Sequence, residues 1–127
     1  MTAKFVRLSA VLLLLASVGF ALGLYLPYAQ QVLKSWERAL GGDHHLHLLA
    51  GCFIPLSLAL LGRLYVYTYP AQALAWLGCL TLFALDEYVQ RFSAFRSSNL
   101  QDFMYSMVGW SIGLVLYGVW LKFFRNR

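Results

Sequence analysis

Asp43 and His47 stand four residues apart. On a helix that spacing puts a carboxylate and an imidazole on one face. Glu87 and Gln90 are three apart, Asp102 and Ser106 are four apart, and Arg96 falls between these two pairs. A histidine oriented by a carboxylate is the usual equipment of general acid–base catalysis. An arginine adds a planar fork that grips phosphate or carboxylate at two points. Gln90 and Ser106 would supply neutral hydrogen bonds.

Three chemistries are open to this set. As an internal polar network, Arg96 bridges Glu87 and Asp102 while Gln90 and His47 complete the hydrogen bonds that buried polar groups require. As a catalytic site, His47 or Glu87 is the general base and Asp43 or Asp102 orients the histidine. Arg96 then binds the substrate, with Asp43, Gln90 and Ser106 as further binding residues. No G-x-S-x-G motif or suitably placed cysteine supplies a nucleophile. A metal would draw on Asp43, His44, His45 and His47 with Glu87 or Asp102. Adjacent histidines point about 100° apart on a helix, and no H-E-x-x-H is present. The sequence therefore points to no metal and no cofactor; haem would have only His47 to reach it. His44 and His45 read as interfacial residues.

These residues are held by an unusually apolar chain. Of 127 residues, 61% are hydrophobic and 12% charged, and the mean hydropathy is +0.64. Soluble domains carry about 25% charged residues. The composition excludes a disordered chain and implies lipid as the main solvent. The net charge of +5 resides mostly at the ends of apolar runs, where lysine and arginine meet headgroups, so no nucleic-acid partner is expected. Cys52 and Cys79 lie inside apolar runs and read as packing residues.

Four apolar runs predict four membrane spans: about 5–26, 43–65, 71–89 and 100–124. Each approaches the ~20 residues that a crossing helix needs. Lys4 and Arg7 resemble the start of a signal peptide, but no small-x-small cleavage site follows, so the first run reads as a retained span. Pro27 ends it. Gly19-x-x-x-Gly23 fits close helix contact. Between spans one and two, Val32, Leu33, Trp36 and Leu40 share a helical face. The segment reads as a short interfacial helix or an ordinary connecting loop. Tyr65, Tyr67 and Tyr69 suit a headgroup belt. The expected fold is all-α: an integral membrane four-helix bundle forming one domain over 1–127.

Six basic residues (Lys4, Arg7, Arg63, Lys122, Arg125, Arg127) fall on one side of such a bundle and four (Lys34, Arg38, Arg91, Arg96) on the other. The excess puts both termini in the cytoplasm. All five acids and all three histidines then collect at the outer face. Ser106, Gly109 and Gly113 add a small-residue stripe along span four.

Asp43-x-x-x-His47 opening one apolar helix, Glu87-x-x-Gln90 ending another, then Arg96, Asp102 and Gly109 in this order resemble the VanZ-like family of small bacterial membrane proteins. The resemblance covers about residues 43 to 113. The family's asparagine four positions after the aspartate is Ser106 here, which offers a hydroxyl in place of the amide. The resemblance implies a multi-pass protein of the bacterial cytoplasmic membrane in a cell-envelope context, linked to glycopeptide resistance of the teicoplanin type. It implies no defined reaction. Two functions are expected: a non-enzymatic envelope protein, or an embedded enzyme acting on a lipid or lipid-linked precursor at the outer leaflet.

Overall fold

Glycine, proline and a single left-handed residue divide the chain into helices. A computed structural model describes residues 3–23, 25–93 and 99–124. They form α1 (Ala3–Gly23), α2 (Gln30–Ala39), α3 (Asp43–Leu61), a 3-10 turn (Leu64–Val66), α4 (Tyr69–Gln90) and α5 (Leu100–Phe124), with no strand among the described residues. The fold is all-helical. The helices α3 (Asp43–Leu61) and α5 (over Leu100–Phe123) are long and apolar enough to cross a membrane.

The helix ends follow local chemistry. After α1 the chain turns at once, Tyr25 N–H donating to Leu22 C=O and Leu26 N–H to Gly23 C=O. The first helix thus stops at Gly23, short of the expected Leu26. Segment 29–40 takes the helical alternative, with no residue of α2 buried. Gly41 and Gly42 both adopt φ +100°, a region glycine enters at little cost, and the turn they make aims α3 back along α1. Helix α3 ends at Leu61 rather than near Tyr65, because Arg63 takes a left-handed φ of 53° and the chain tightens into the 3-10 turn. Pro70 then sits in the first turn of α4, where its missing N–H costs no helical bond.

Helices α3 and α5 form the central pair, with α1 against α3 and α4 mainly against α5. The stripe Asp102, Ser106, Gly109, Gly113, Tyr117 is buried along α5, recurring every three or four residues as one helical face must. It meets His47, Gly51, Cys52, Pro55 and Ala59 of α3, also buried. A β-carbon on Gly109 would overlap the Leu48 carbonyl, one on Gly51 the Ser106 carbonyl, and one on Gly113 would lie 2.7 Å from the Cys52 carbonyl. The backbones touch because these side chains are absent. Gly19, by contrast, faces open space, so the Gly19–Gly23 pair is not a helix–helix seam among the described residues. Gly23 instead lies against Leu33.

Burial is inverted relative to a protein in water. The buried hydrophobic residues are Ala10, Cys52, Ala59, Trp76 and Tyr117, whereas the buried polar ones are His47, Ser57, Gln72, Glu87, Gln90, Asp102 and Ser106. Leucines such as Leu12, Leu15, Leu74 and Leu82 are largely exposed. At the end of the bundle bearing the 3-10 turn, Trp76, Tyr117 and Ala59 form a core with Tyr65 and Trp120 packed on it. Trp110 Nε1–H donates to Trp76 C=O at 2.8 Å, and Tyr117 OH donates to Gln72 Oε1 at 3.3 Å. Tyr65 thus joins this core, while Tyr67 and Tyr69 stay exposed. The opposite end carries the acids and histidines. Both cysteines are free.

Candidate functional site

The N-termini of α3 and α5 lie side by side because these helices run parallel, and this brings residues almost sixty positions apart into contact. His44 Nδ1–H donates to Asp102 Oδ1 at 2.6 Å, a charge-assisted distance. His47 Nδ1 is 3.2 Å from Ser106 Oγ, and His47 Nε2 is 3.6 Å from Asp43 Oδ1. The two i, i+4 pairs of the sequence therefore interlock: the α3 histidines reach across to the α5 pair. One ligand-type atom from each of Asp43, His47 and Asp102 lies within 4.8 Å of the others. Asp102 and Ser106 are each 2% exposed and His47 8%, so most of this chemistry is out of solvent.

His44 makes two specific contacts with α5. Its ring stacks on Tyr105, centroids 5.0 Å apart, and its Nδ1 is committed to Asp102. His45 points elsewhere, its Nδ1–H donating to Gly41 C=O at 2.8 Å. The 100° between adjacent helical positions separates the two.

Helix α4 supplies a second group at the same end. Gln90 is fully buried and donates Nε2–H to Asp86 Oδ2 at 2.8 Å. Its partner is thus Asp86, four residues back, rather than Glu87, three back. Tyr25 OH, from the turn after α1, donates to Asp86 Oδ1 at 3.0 Å. Glu87 instead accepts the Asn99 backbone N–H. Asn99 Oδ1 accepts from Gln101 N–H at 3.0 Å, which is N-cap behaviour at the start of α5. Glu87 therefore ties the end of α4 to the start of α5. Gln90 Oε1 is buried with no hydrogen-bond partner among the described residues.

Asp43, His47, Asp102 and Ser106 are thus assembled at one point, and Glu87 and Gln90 stand at the end of α4. Arg96, expected to contact Glu87 or Asp102, lies outside the described residues. Sequence reasoning passed over Asp86, Tyr25 and Asn99, and weighed His44 only as a metal ligand or an interfacial residue. The Asp86/Gln90 spacing of four was a usable signal. The His44–Asp102 contact had none, since it depends on the rotation of two helices.

A cleft of about 460 Å³ opens beside this cluster. Its walls are apolar, including Ala16 and Leu22 of α1, Ala50 and Phe53 of α3 and Leu82 of α4. Trp36 and Leu40, from α2 and its end, also line it, and Ser17, His47, Asp86 and Ser106 are its polar groups. An apolar chamber with a few polar groups is how proteins hold an amphiphile: the walls take hydrocarbon and the polar groups take the head. No family model, no curated protein and no solved structure matches this chain.

Proposed function

We propose that this chain is a VanZ-like integral membrane protein of the bacterial cell envelope. In this reading α1, α3, α4 and α5 are four spans, α2 lies in the interface, and the polar cluster faces the outer leaflet. Helices α1 and α4 have 21 and 22 residues, or about 32 Å at 1.5 Å per residue, enough for a hydrocarbon core. The inverted burial supports lipid as the solvent of the outer surface.

Its proposed task is to hold the acyl chain of a lipid or lipid-linked envelope precursor, and so to alter susceptibility to glycopeptides of the teicoplanin type. The apolar cleft with His47, Asp86 and Ser106 among its lining carries this reading. A phospholipid with a photoactivatable acyl chain, in vesicles holding the purified protein, tests it. Crosslinks are expected on α1 and α3 residues of the cleft. Ala50→Phe, which fills the cleft, should abolish them and restore glycopeptide susceptibility in an expressing bacterium. Labelling spread evenly over the outer apolar surface, unchanged by Ala50→Phe, would overturn the assignment.

The second reading is an embedded enzyme acting on the same class of substrate by acid–base catalysis. The short His44–Asp102 contact favours it. The carboxylate fixes Nδ1 as the donor, so Nε2 of the half-exposed His44 is left to take a proton. His47, Glu87 and Asp102 then remain the other candidates for proton transfer.

A further inference from the structure

We infer that Asp43, His47 and Asp102 form a binding site for one divalent transition-metal ion of the zinc type. A nitrogen and two carboxylates are donors that zinc accepts, and three protein ligands with a fourth position open is the usual plan of a zinc site that handles a ligand. The candidate donor atoms lie within 4.8 Å of one another. Around tetrahedral zinc, donors sit about 3.4 Å apart, given bonds of about 2.0–2.2 Å. His47 Nε2 and Asp43 Oδ1, at 3.6 Å, are already near that separation. Ligation therefore asks for an inward movement of the side chains, least for the Asp43–His47 pair.

The surrounding hydrogen bonds carry the argument beyond the three donors. Metal-binding histidines almost always donate their other ring N–H to a neighbour, and metal-binding carboxylates are hydrogen-bonded in turn. Both outer contacts are present. With Nδ1 donating to Ser106 Oγ at 3.2 Å, His47 turns the Nε2 lone pair toward Asp43. Asp102 Oδ1 is held by His44 Nδ1–H at 2.6 Å, which leaves Oδ2 for the ion. Ser106 and His44 are positioning residues here. Two carboxylates and a neutral imidazole match a divalent charge, and Asp102, almost wholly buried, is where such neutralisation matters most. The sequence pointed to no metal because His44, His45 and His47 cannot converge. The structure needs only His47 of the three and takes its other ligand from a distant helix.

The test is zinc and cobalt(II) titration of the full-length, chelator-treated protein in detergent, with metal content measured after gel filtration. One ion per chain is expected, with a histidine-and-carboxylate cobalt spectrum and a rise in melting temperature on adding zinc. Asp43→Asn and His47→Gln should each weaken binding by at least tenfold, and Ser106→Ala by about tenfold. His45→Ala, outside the site, should leave it unchanged. Asp43 is partly exposed, so its variant keeps the test sound even if the His47 variant folds poorly. Binding of no ion by the wild type would overturn the inference. So would zinc binding that survives Asp43→Asn and His47→Gln unchanged. The inference goes beyond the acyl-cleft reading: Asp43→Asn, at a residue that does not line the cleft, should weaken zinc binding and leave the acyl crosslinks in place, so the two readings fail separately.

Discussion

Glu87 shows how one carboxylate can be structural and still bear on function. Its Oε1 accepts the Asn99 N–H, at a place where α5 begins and backbone donors lack helical partners. Glutamine retains an oxygen at nearly the same position. Glu87→Gln should therefore melt in detergent close to the wild type, whereas Glu87→Leu leaves a donor without its acceptor and should lose about 1–3 kcal/mol. If Glu87→Gln melts as expected but loses its effect on glycopeptide susceptibility, the charge itself matters and the enzymatic reading gains. Equal destabilisation by Gln and Leu would contradict the proposed hydrogen bond. At this scale the residues were legible and their pairing was not. The acids and histidines stand out in so apolar a chain. Whether Gln90 meets Asp86 or Glu87, and whether His44 or His47 meets Asp102, depends on side-chain direction and helix rotation. Spacing along one helix does not fix either.

Helices α3 and α5 hold the cluster together because their backbones touch. Close contact between helices comes from small residues where hydrocarbon surrounds both partners and burial of apolar surface adds little. Gly109→Ala puts a methyl into the Leu48 carbonyl and Gly113→Ala crowds the Cys52 carbonyl. Each should destabilise by about 1–3 kcal/mol or more, the usual cost of overpacking, and the double variant should also separate His47 from Ser106. Gly19→Ala and Gly118→Ala meet nothing within 4 Å and should be neutral or slightly stabilising, since alanine favours helix over glycine. Thermal melts of the four variants in one detergent check this; a costly Gly19→Ala with a harmless Gly109→Ala would refute the packing described. The element pattern was largely readable from apolar run length, Pro27, Pro70 and the Gly41–Gly42 pair. The stripe Ser106, Gly109, Gly113 was visible too. Gly19-x-x-x-Gly23 looked equally good and packs differently, because small residues permit an approach without selecting the partner. The early end of α3 came from the backbone at Arg63, where a left-handed conformation is uncommon for a non-glycine residue.

For the whole molecule, the distribution of polarity constrains what it can be. A bundle with Asp102, Glu87 and Gln90 buried and leucines outside would gather its exposed hydrocarbon together in water. In a bilayer the same surface is satisfied, and the inward polar groups pair with one another as charged groups in membranes must. In the four-span reading, α3 and α5 run parallel and α4 returns between them, so the N-terminal ends of α3 and α5 share a side with the end of α4. The 3-10 turn and the aromatic core occupy the other. In that reading, six basic residues against four would put the aromatic end in the cytoplasm. Single cysteines in a background with Cys52 and Cys79 replaced test this. Ser35→Cys on the exposed face of α2 should react with a membrane-impermeant maleimide in intact cells. Tyr67→Cys, in the exposed turn before α4, should react only after the membrane is opened. The reverse pattern would turn the molecule over. The Asp43–His47–Asp102 group would then face the cytoplasm, and a lipid-linked precursor in the outer leaflet could no longer be the molecule that the cleft receives.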